Sequence, residues 1–202
     1  MISKVYFINL NHRVDRRSHI EKLLEIAGLD IITERISAVS NPVVGMKGCI
    51  VSHILTLERF IGSKEDYCLI LEDDFTSDNP TMLKDNIKKL FDDGIDFDVV
   101  QISGNHIDIK ECGYPYLKAV NDSQTTSGYI VNRRFAITLL NNFKECYKLI
   151  SELGQQEQSS IDIHWKKLQP ISKWYCFFPS LGYQMDGYSE ITKDYTFYQV
   201  KC

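Results

Sequence analysis

Along this chain the hydrophobic pattern breaks most abruptly at Tyr67-Cys68-Leu69-Ile70-Leu71-Glu72-Asp73-Asp74-Phe75, where an apolar run meets three consecutive carboxylates. A short unbroken apolar run reads as a strand covered on both faces. The acids begin where the run stops, so they stand at the strand's C-terminal edge, the edge where open α/β sheets bind ligands. Upstream, Val5-Tyr6-Phe7-Ile8 predicts a first strand. Ile20, Leu23, Leu24 and Ala27 then recur at helical spacing, with Asp15 as cap and Gly28 as stop. Ile31-Ile32-Thr33-Glu34-Arg35-Ile36 predicts a second strand, which completes a βαβ opening and points to α/β layering.

The turn-rich segment Asn41 to Gly48 predicts a loop, followed by a helix from about Cys49 to Ile61. Asn79-Pro80 opens a helix whose buried face carries Met82, Leu83, Ile87, Leu90 and Phe91. Phe97 to Ile102 predicts a strand. Asp108 to Asp122 loses periodicity apart from a ribbon at Tyr116 to Val120. Ser127 to Val131 predicts a strand, Arg133 to about Phe143 a helix, and Trp174 to Phe178 an aromatic strand. The tail from Gly187 onward has no clear period. With no repeat or linker, the expectation is one domain over 1–202, with a ligand-binding half at about 1–107 and a second half at about 108–202.

Composition narrows the class. At 202 residues, 44% apolar and 25% charged, the chain is long enough for one globular core. A net charge of -4 with scattered basic residues argues against nucleic acid as the partner. None of the six cysteines lies in a CxxC pair, and Cys49 and Cys68 sit in apolar runs that suit reduced thiols. No signal-peptide core and no run of membrane-spanning length is present, so the expectation is a soluble, cytoplasmic protein.

Four segments carry candidate chemistry, each with a plainer alternative, and a fifth has no chemistry of its own. Asn9 to Arg17 follows the first strand and hands over to a helix N-terminus; it reads as an anion site with Arg13 and Arg16, or as a solvated first turn. Gly45 to His53 lets a ligand approach the backbone, with Ser52 and His53 facing the cleft, or is a capped helix with a core histidine. In Glu72-Asp73-Asp74, strand alternation sends Glu72 and Asp74 one way and Asp73 the other, as in a carboxylate-x-carboxylate metal clamp on a diphosphate. Three adjacent acids need a compensating cation, for which a hard divalent ion is the first candidate; the alternative is an acidic turn. Asp162, beside His164 and Trp165, reads as a general base or an N-cap. Pro179, Gln184 and Gly187-Tyr188-Ser189 read as a lid or acceptor wall.

In order along the chain, these segments resemble glycosyltransferase family 25, which groups bacterial lipooligosaccharide glycosyltransferases with collagen β-galactosyltransferases. The resemblance rests on Val5-Tyr6-Phe7-Ile8-Asn9-Leu10 with Arg13, Asp15 and Arg16; on Gly48-Cys49-Ile50-Val51-Ser52-His53; on Leu69-Ile70-Leu71-Glu72-Asp73-Asp74; and on Ser127-Gly128-Tyr129-Ile130-Val131. It implies a GT-A-like, Rossmann-like nucleotide-sugar-binding domain with a mostly parallel central sheet flanked by helices. It also implies a UDP-sugar donor, Mn²⁺ (or Mg²⁺), and inverting transfer of a hexose to a glycan, lipid-linked saccharide or hydroxylysine-type peptide acceptor.

Carried onto this chain, the resemblance implies Asn9, Arg13, Arg16, Ser52, His53 and Asp73 on the donor side. Asp74 becomes the leading metal ligand with Glu72 assisting, and Asp162 the base, ahead of Glu190. The chain is short for the family and shows neither a second glycosyltransferase-like domain nor a signal or retention segment. Short cytoplasmic members, bacterial or from large viruses, are therefore the closer comparison. One rival reading is another metal-dependent nucleotidyl or phosphoryl enzyme, which would want a Gly-rich phosphate loop or more Asp-x-Asp pairs than the sequence shows; the other is a non-catalytic saccharide- or protein-binding member of the same fold. A binding module, however, has no need of a carboxylate clamp.

Overall fold

The computed structural model describes residues 2–154, 160–189, 191 and 194–198. Strands β1 (Lys4–Asn9) and β2 (Thr33–Ser37) flank helix α1 (Val14–Ile26); helix α2 (Gly45–Ile61) leads to β3 (Tyr67–Glu72) and the short β4 (Phe75–Thr76). Helix α3 (Pro80–Asp92), β5 (Val99–Gln101), β6 (Asn105–Glu111), β7 (Leu117–Gln124), β8 (Gly128–Asn132) and helix α4 (Arg133–Leu153) follow. Then come α5 (Ile161–His164), β9 (Trp174–Phe177), β10 (Tyr183–Gln184), β11 (Gly187–Ser189) and β12 (Asp194–Thr196).

Eight strands form one sheet in the order β2-β1-β3-β8-β5-β9-β7-β6. β1 is parallel to β2 and β3, and β8 is antiparallel to both β3 and β5. β9 is parallel to β5, β7 antiparallel to β9, and β6 antiparallel to β7, so six of the eight strands run one way and β7 and β8 run the other. The central sheet is thus mostly parallel in direction and flanked by helices, as expected.

Both sheet faces are covered, which is why the central strands read as unbroken apolar runs. Val5, Phe7, Leu69, Leu71 and Ile130 pack with Ile20, Leu24, Leu83 and Ile87 of α1 and α3. Their neighbours of opposite parity, Tyr6, Ile8, Cys68, Ile70, Tyr129 and Val131, pack with Ile50, Leu57, Leu139 and Phe143 of α2 and α4. The alternation of side chains along a strand assigns one helix pair to each face.

Several boundaries differ from expectation for physical reasons. Asp15 lies in the first turn of α1 and Arg13 takes the cap position. At the other end the Gly28 stop holds: its φ of 65° forms a Schellman motif, with Gly28 N–H on the Glu25 carbonyl and Leu29 N–H on the Leu24 carbonyl. Residues 30–32 form a 3-10 turn, so β2 starts at Thr33. Helix α2 begins at Gly45, a full turn before Cys49. The Asn41 side chain accepts from the Val43 and Val44 amides and starts the helix where glycine content suggested a loop. Helix α4 continues past Phe143 to Leu153 because Cys146 and Ile150 extend its buried stripe. The featureless region hides a hairpin, β6–β7, whose register shifts near Asp108 break the period.

Topology makes a switch point. From β1 the chain moves to β2 on one side and then, through α2, to β3 on the other, so the crevice opens at the C-terminal ends of β1 and β3. Gly48 shapes one wall. A Cβ at that position would stand 2.3 Å from the Val39 carbonyl oxygen, so α2 approaches the 39–41 backbone more closely than any side chain permits. Gly48→Ala is expected to lower stability by about 1–3 kcal/mol, the usual range for overpacking. The denaturant midpoint measures it, and an unchanged midpoint would show that the wall yields freely.

Candidate functional site

At the switch point, β1 delivers Asn9 and β3 delivers the acid triplet, Ile8 being in register with Glu72. β3 ends at Glu72 and the chain turns, so strand alternation does not carry through Asp73 and Asp74. All three acids line one cleft of about 800 Å³, open to solvent. Asn9 Nδ2 donates to Asp73 Oδ2 at 2.7 Å and to the Arg13 carbonyl at 3.0 Å. From α1, Arg16 Nη1 reaches Asp73 Oδ1 at 3.2 Å and Asp74 Oδ2 at 2.8 Å. The compensating cation sought from the sequence is therefore supplied in part by the chain itself.

The three acids have different surroundings. Asp74 is 4% exposed and its Oδ2 also accepts from Gln184 Nε2 at 3.1 Å. Its Oδ1 is buried and has no hydrogen-bond partner among the described residues. Burial, then the charge of Glu72, push the Asp74 carboxyl up to about 7, against the pull of Arg16. Burial also raises Asp73, opposed by Asn9 and Arg16. For Glu72 burial acts in the same direction, but His53 and the Thr126 hydroxyl outweigh it and hold the carboxyl below its usual range. Thr126 Oγ1 donates to Glu72 Oε1 at 2.6 Å, and His53 Nε2 lies 3.2 Å from the same oxygen. A buried carboxylate oxygen without a partner, next to further acids, fits a hard divalent cation.

The remaining expected residues are placed as follows. Arg13 forks onto Asp15 at 3.0 and 2.8 Å and lines the cleft. That fork holds Asp15 at about 2. Arg13 and Arg16 also both donate to the Tyr188 carbonyl, at 3.4 and 3.0 Å, which ties the β11 strand to α1. Ser52 stands in the cleft wall with its hydroxyl between the Gly48 carbonyl and the Val39 amide. His53, 1% exposed, sits between Glu72 and the Tyr129 hydroxyl, 3.0 Å from Nδ1. Asp162 lies in the first turn of α5, where Ser160 takes the cap position, and its Oδ2 accepts from the Thr125 amide at 3.1 Å. It lines an adjoining pocket of about 600 Å³ that shares Cys49, Glu72, Gln184, Ile191 and Tyr198 with the first. Glu190 lies outside the described residues.

Sequence reasoning missed Arg35, Thr126 and the Tyr129 hydroxyl that meets His53. Arg35 Nε donates to Asn9 Oδ1 at 3.0 Å and so orients the amide that holds Asp73. Arg35 lies on β2, opposite Phe7 in the register, and only the sheet order brings its side chain to Asn9. Thr126 precedes the Ser127 strand by one residue, and nothing in its spacing marks it. Among the described residues no helix is long and apolar enough to cross a membrane.

No family model and no curated protein matches the sequence. Solved structures do match the fold. One is a glycosyltransferase involved in the glycosylation of the major capsid of PBCV-1, at 13% identity and a TM-score of 0.56, covering 96% of this chain and 97% of that one. Another is a UDP-glucose pyrophosphorylase complexed with UDP-glucose, at 10% identity and a TM-score of 0.45, covering 88% and 90%. A third is a Drosophila β-1,4-galactosyltransferase 7 in complex with manganese, UDP-Gal and xylobiose, at 12% identity and a TM-score of 0.38, covering 77% and 63%. Identities this low speak to the fold alone, a GT-A-like α/β architecture with a mostly parallel sheet flanked by helices.

Because Asp74 holds its proton more tightly when folded, the folded state binds more protons than the unfolded state between the ordinary aspartate value of 3.8 and about 7. Asp74 therefore makes stability fall as pH rises through that window. In metal-free buffer, the melting temperature of the wild type relative to Asp74→Asn is expected to decline from about pH 4 to about pH 7. A pH-independent difference would contradict a buried, proton-retaining Asp74.

Proposed function

We propose that the protein is a glycosyltransferase of the family 25 type, metal-dependent and inverting, which moves a hexose from a UDP-sugar to a glycan, lipid-linked saccharide or hydroxylysine-type acceptor. The observation that carries this reading is the buried Asp74 Oδ1, without a hydrogen-bond partner among the described residues, beside Arg16 and Asn9 at the switch point of a GT-A-like sheet. In it, residues of about 1–107 supply most of the donor cleft, and Gln184, Ser189, Ile191 and Tyr198 close it from the second half.

Each residue then has a defined task. Asp74, with Glu72 assisting, would hold Mn²⁺ or Mg²⁺, which when bound offsets charge building on the departing diphosphate. Asn9 keeps Asp73 turned toward Arg16. Arg16 and Arg13 bring positive charge to the rim where a diphosphate lies, beside the acids of the triplet. Asp162, held by the Thr125 amide, faces the adjoining pocket. It takes the proton of an acceptor hydroxyl while that oxygen bonds to the anomeric carbon and the bond to the diphosphate breaks on the opposite side.

One observation favours a second reading. Arg16 already bridges Asp73 and Asp74, so the arginine itself can serve as counter-ion for a metal-independent transferase on the same donor. Calorimetry separates the two. UDP binding that needs Mn²⁺ and vanishes in Asp74→Ala, with the fold intact by circular dichroism, supports the metal-dependent reading. Wild-type UDP affinity in that variant, or affinity unchanged by chelator, supports the arginine. Asp162→Asn is expected to keep donor binding and to lose transfer by at least about a hundredfold, the scale of general base catalysis. Unchanged turnover would assign the base elsewhere.

A further inference from the structure

The floor of the cleft carries a second set of donor atoms, of a different chemical kind from the acid triplet. Cys49 and His53 lie one helical turn apart on α2, so their side chains share a face. Glu72 meets them from the end of β3. Cys49 Sγ, a ring nitrogen of His53 and a carboxylate oxygen of Glu72 all lie within 4.8 Å of one another. All three residues line the cleft.

We propose that Cys49, His53 and Glu72 form a binding site for a thiophilic divalent cation such as Zn²⁺, with a fourth coordination position open to the cleft. A sulfur, an imidazole and a carboxylate make a borderline donor set that suits Zn²⁺ or Co²⁺ and disfavours Mg²⁺. Bonds of about 2.0–2.3 Å in a tetrahedron place ligand atoms roughly 3.3–3.8 Å apart, so the observed spacing closes with small side-chain movements. His53 Nε2 faces Glu72 while Nδ1 faces the Tyr129 hydroxyl, the outer-shell partner that a metal-bound imidazole uses to fix its ring.

Without metal, the ionised Glu72 accepts from Nε2–H, which leaves Nδ1 to accept from Tyr129. With metal, Nε2 becomes the ligand, the proton moves to Nδ1 and is donated to the Tyr129 oxygen, and Cys49 releases its thiol proton to solvent. Burial, then the charges of Glu72, Asp162 and Asp74, push the Cys49 thiol up, so the incoming cation has to displace its proton, while the same negative charges attract that cation. The site differs from the hard-ion clamp but shares Glu72 with it, so a cation here withdraws Glu72 from Asp74's side of the cleft.

Co²⁺ titration of the purified full chain, with no nucleotide or sugar present, tests the proposal. Tetrahedral Co²⁺ bound through a thiolate gives visible d–d bands together with a near-ultraviolet sulfur-to-metal band. Both are expected in the wild type at one equivalent and are displaced by Zn²⁺. Cys49→Ser is expected to lose the sulfur band, whereas Cys112→Ser, remote from the cleft, keeps it. Tyr129→Phe is expected to weaken Co²⁺ binding by about tenfold, the scale of lost outer-shell support. Absence of the bands in the wild type, or a sulfur band that survives Cys49→Ser, would overturn the site and leave the cluster a hydrogen-bonded one. Because no nucleotide sugar enters the experiment, its failure leaves the transferase reading standing, and failure of that reading leaves the metal site testable.

Discussion

The constraint on which the site depends is the cost of placing three adjacent carboxylates at the buried end of a sheet. Unpaired ions there would be too expensive to desolvate, so each acid has its own set of partners, with Arg16 common to two of them. Asp73 is held by Asn9 and Arg16, Glu72 by Thr126 and His53, and Asp74 by Arg16 and Gln184. These partners come from β1, α1, α2, β10 and the turn before β8. Elements far apart in sequence therefore converge on one strand end, and the fold's layering can be read as the scaffold that lets them meet.

The compensation is uneven, and the unevenness is where the chemistry lies. Asp73 has a donor on each oxygen, the Asn9 amide on Oδ2 and the charged Arg16 on Oδ1, and is the most fully satisfied. Asp74 has one oxygen crowded by donors and the other buried without any among the described residues. A group left in that state retains its proton or recruits a cation. Arg16 alone does not settle the balance, because its one charge is shared between two carboxylates while Glu72 adds a third. The Arg16–Asp74 pair is thus better understood as a polarised socket than as a stabilising salt bridge.

The layering was legible because the central strands are buried on both faces, which turns β1 and β3 into apolar runs, and because α1 and α3 carry clear stripes. Gly28 and Pro80 marked helix ends for backbone reasons that any context preserves. What failed was local inference where tertiary contact overrides propensity. Gly45 and Gly48 read as loop, yet Gly48 is needed inside a helix because the 39–41 backbone leaves no room for a side chain. Strand alternation for Glu72 to Asp74 failed because the strand ends at Glu72. In the site, residues next to a visible motif could be named, whereas Arg35 and Thr126 could not, since their partners are set by sheet order rather than spacing.

Thr125 shows how far that dependence reaches. It is a β-branched residue at φ 79°, a left-handed conformation that costs about 1–3 kcal/mol and persists only where neighbours over-determine it. The neighbours are identifiable. The buried Gln101 amide donates to the Gln124 and Thr125 carbonyls at 3.2 and 3.3 Å, and Trp174 Nε1 holds Gln101 Oε1 at 3.2 Å. The turn so fixed points the Thr125 amide at Asp162 and brings the Thr126 hydroxyl to Glu72. A relaxed turn would change the direction of that amide and could not keep both donors in place. The strain therefore sets the relation between two carboxylates on neighbouring pockets, which is why β5 and β9, remote from the acid triplet in the chain, belong to the working part of the structure.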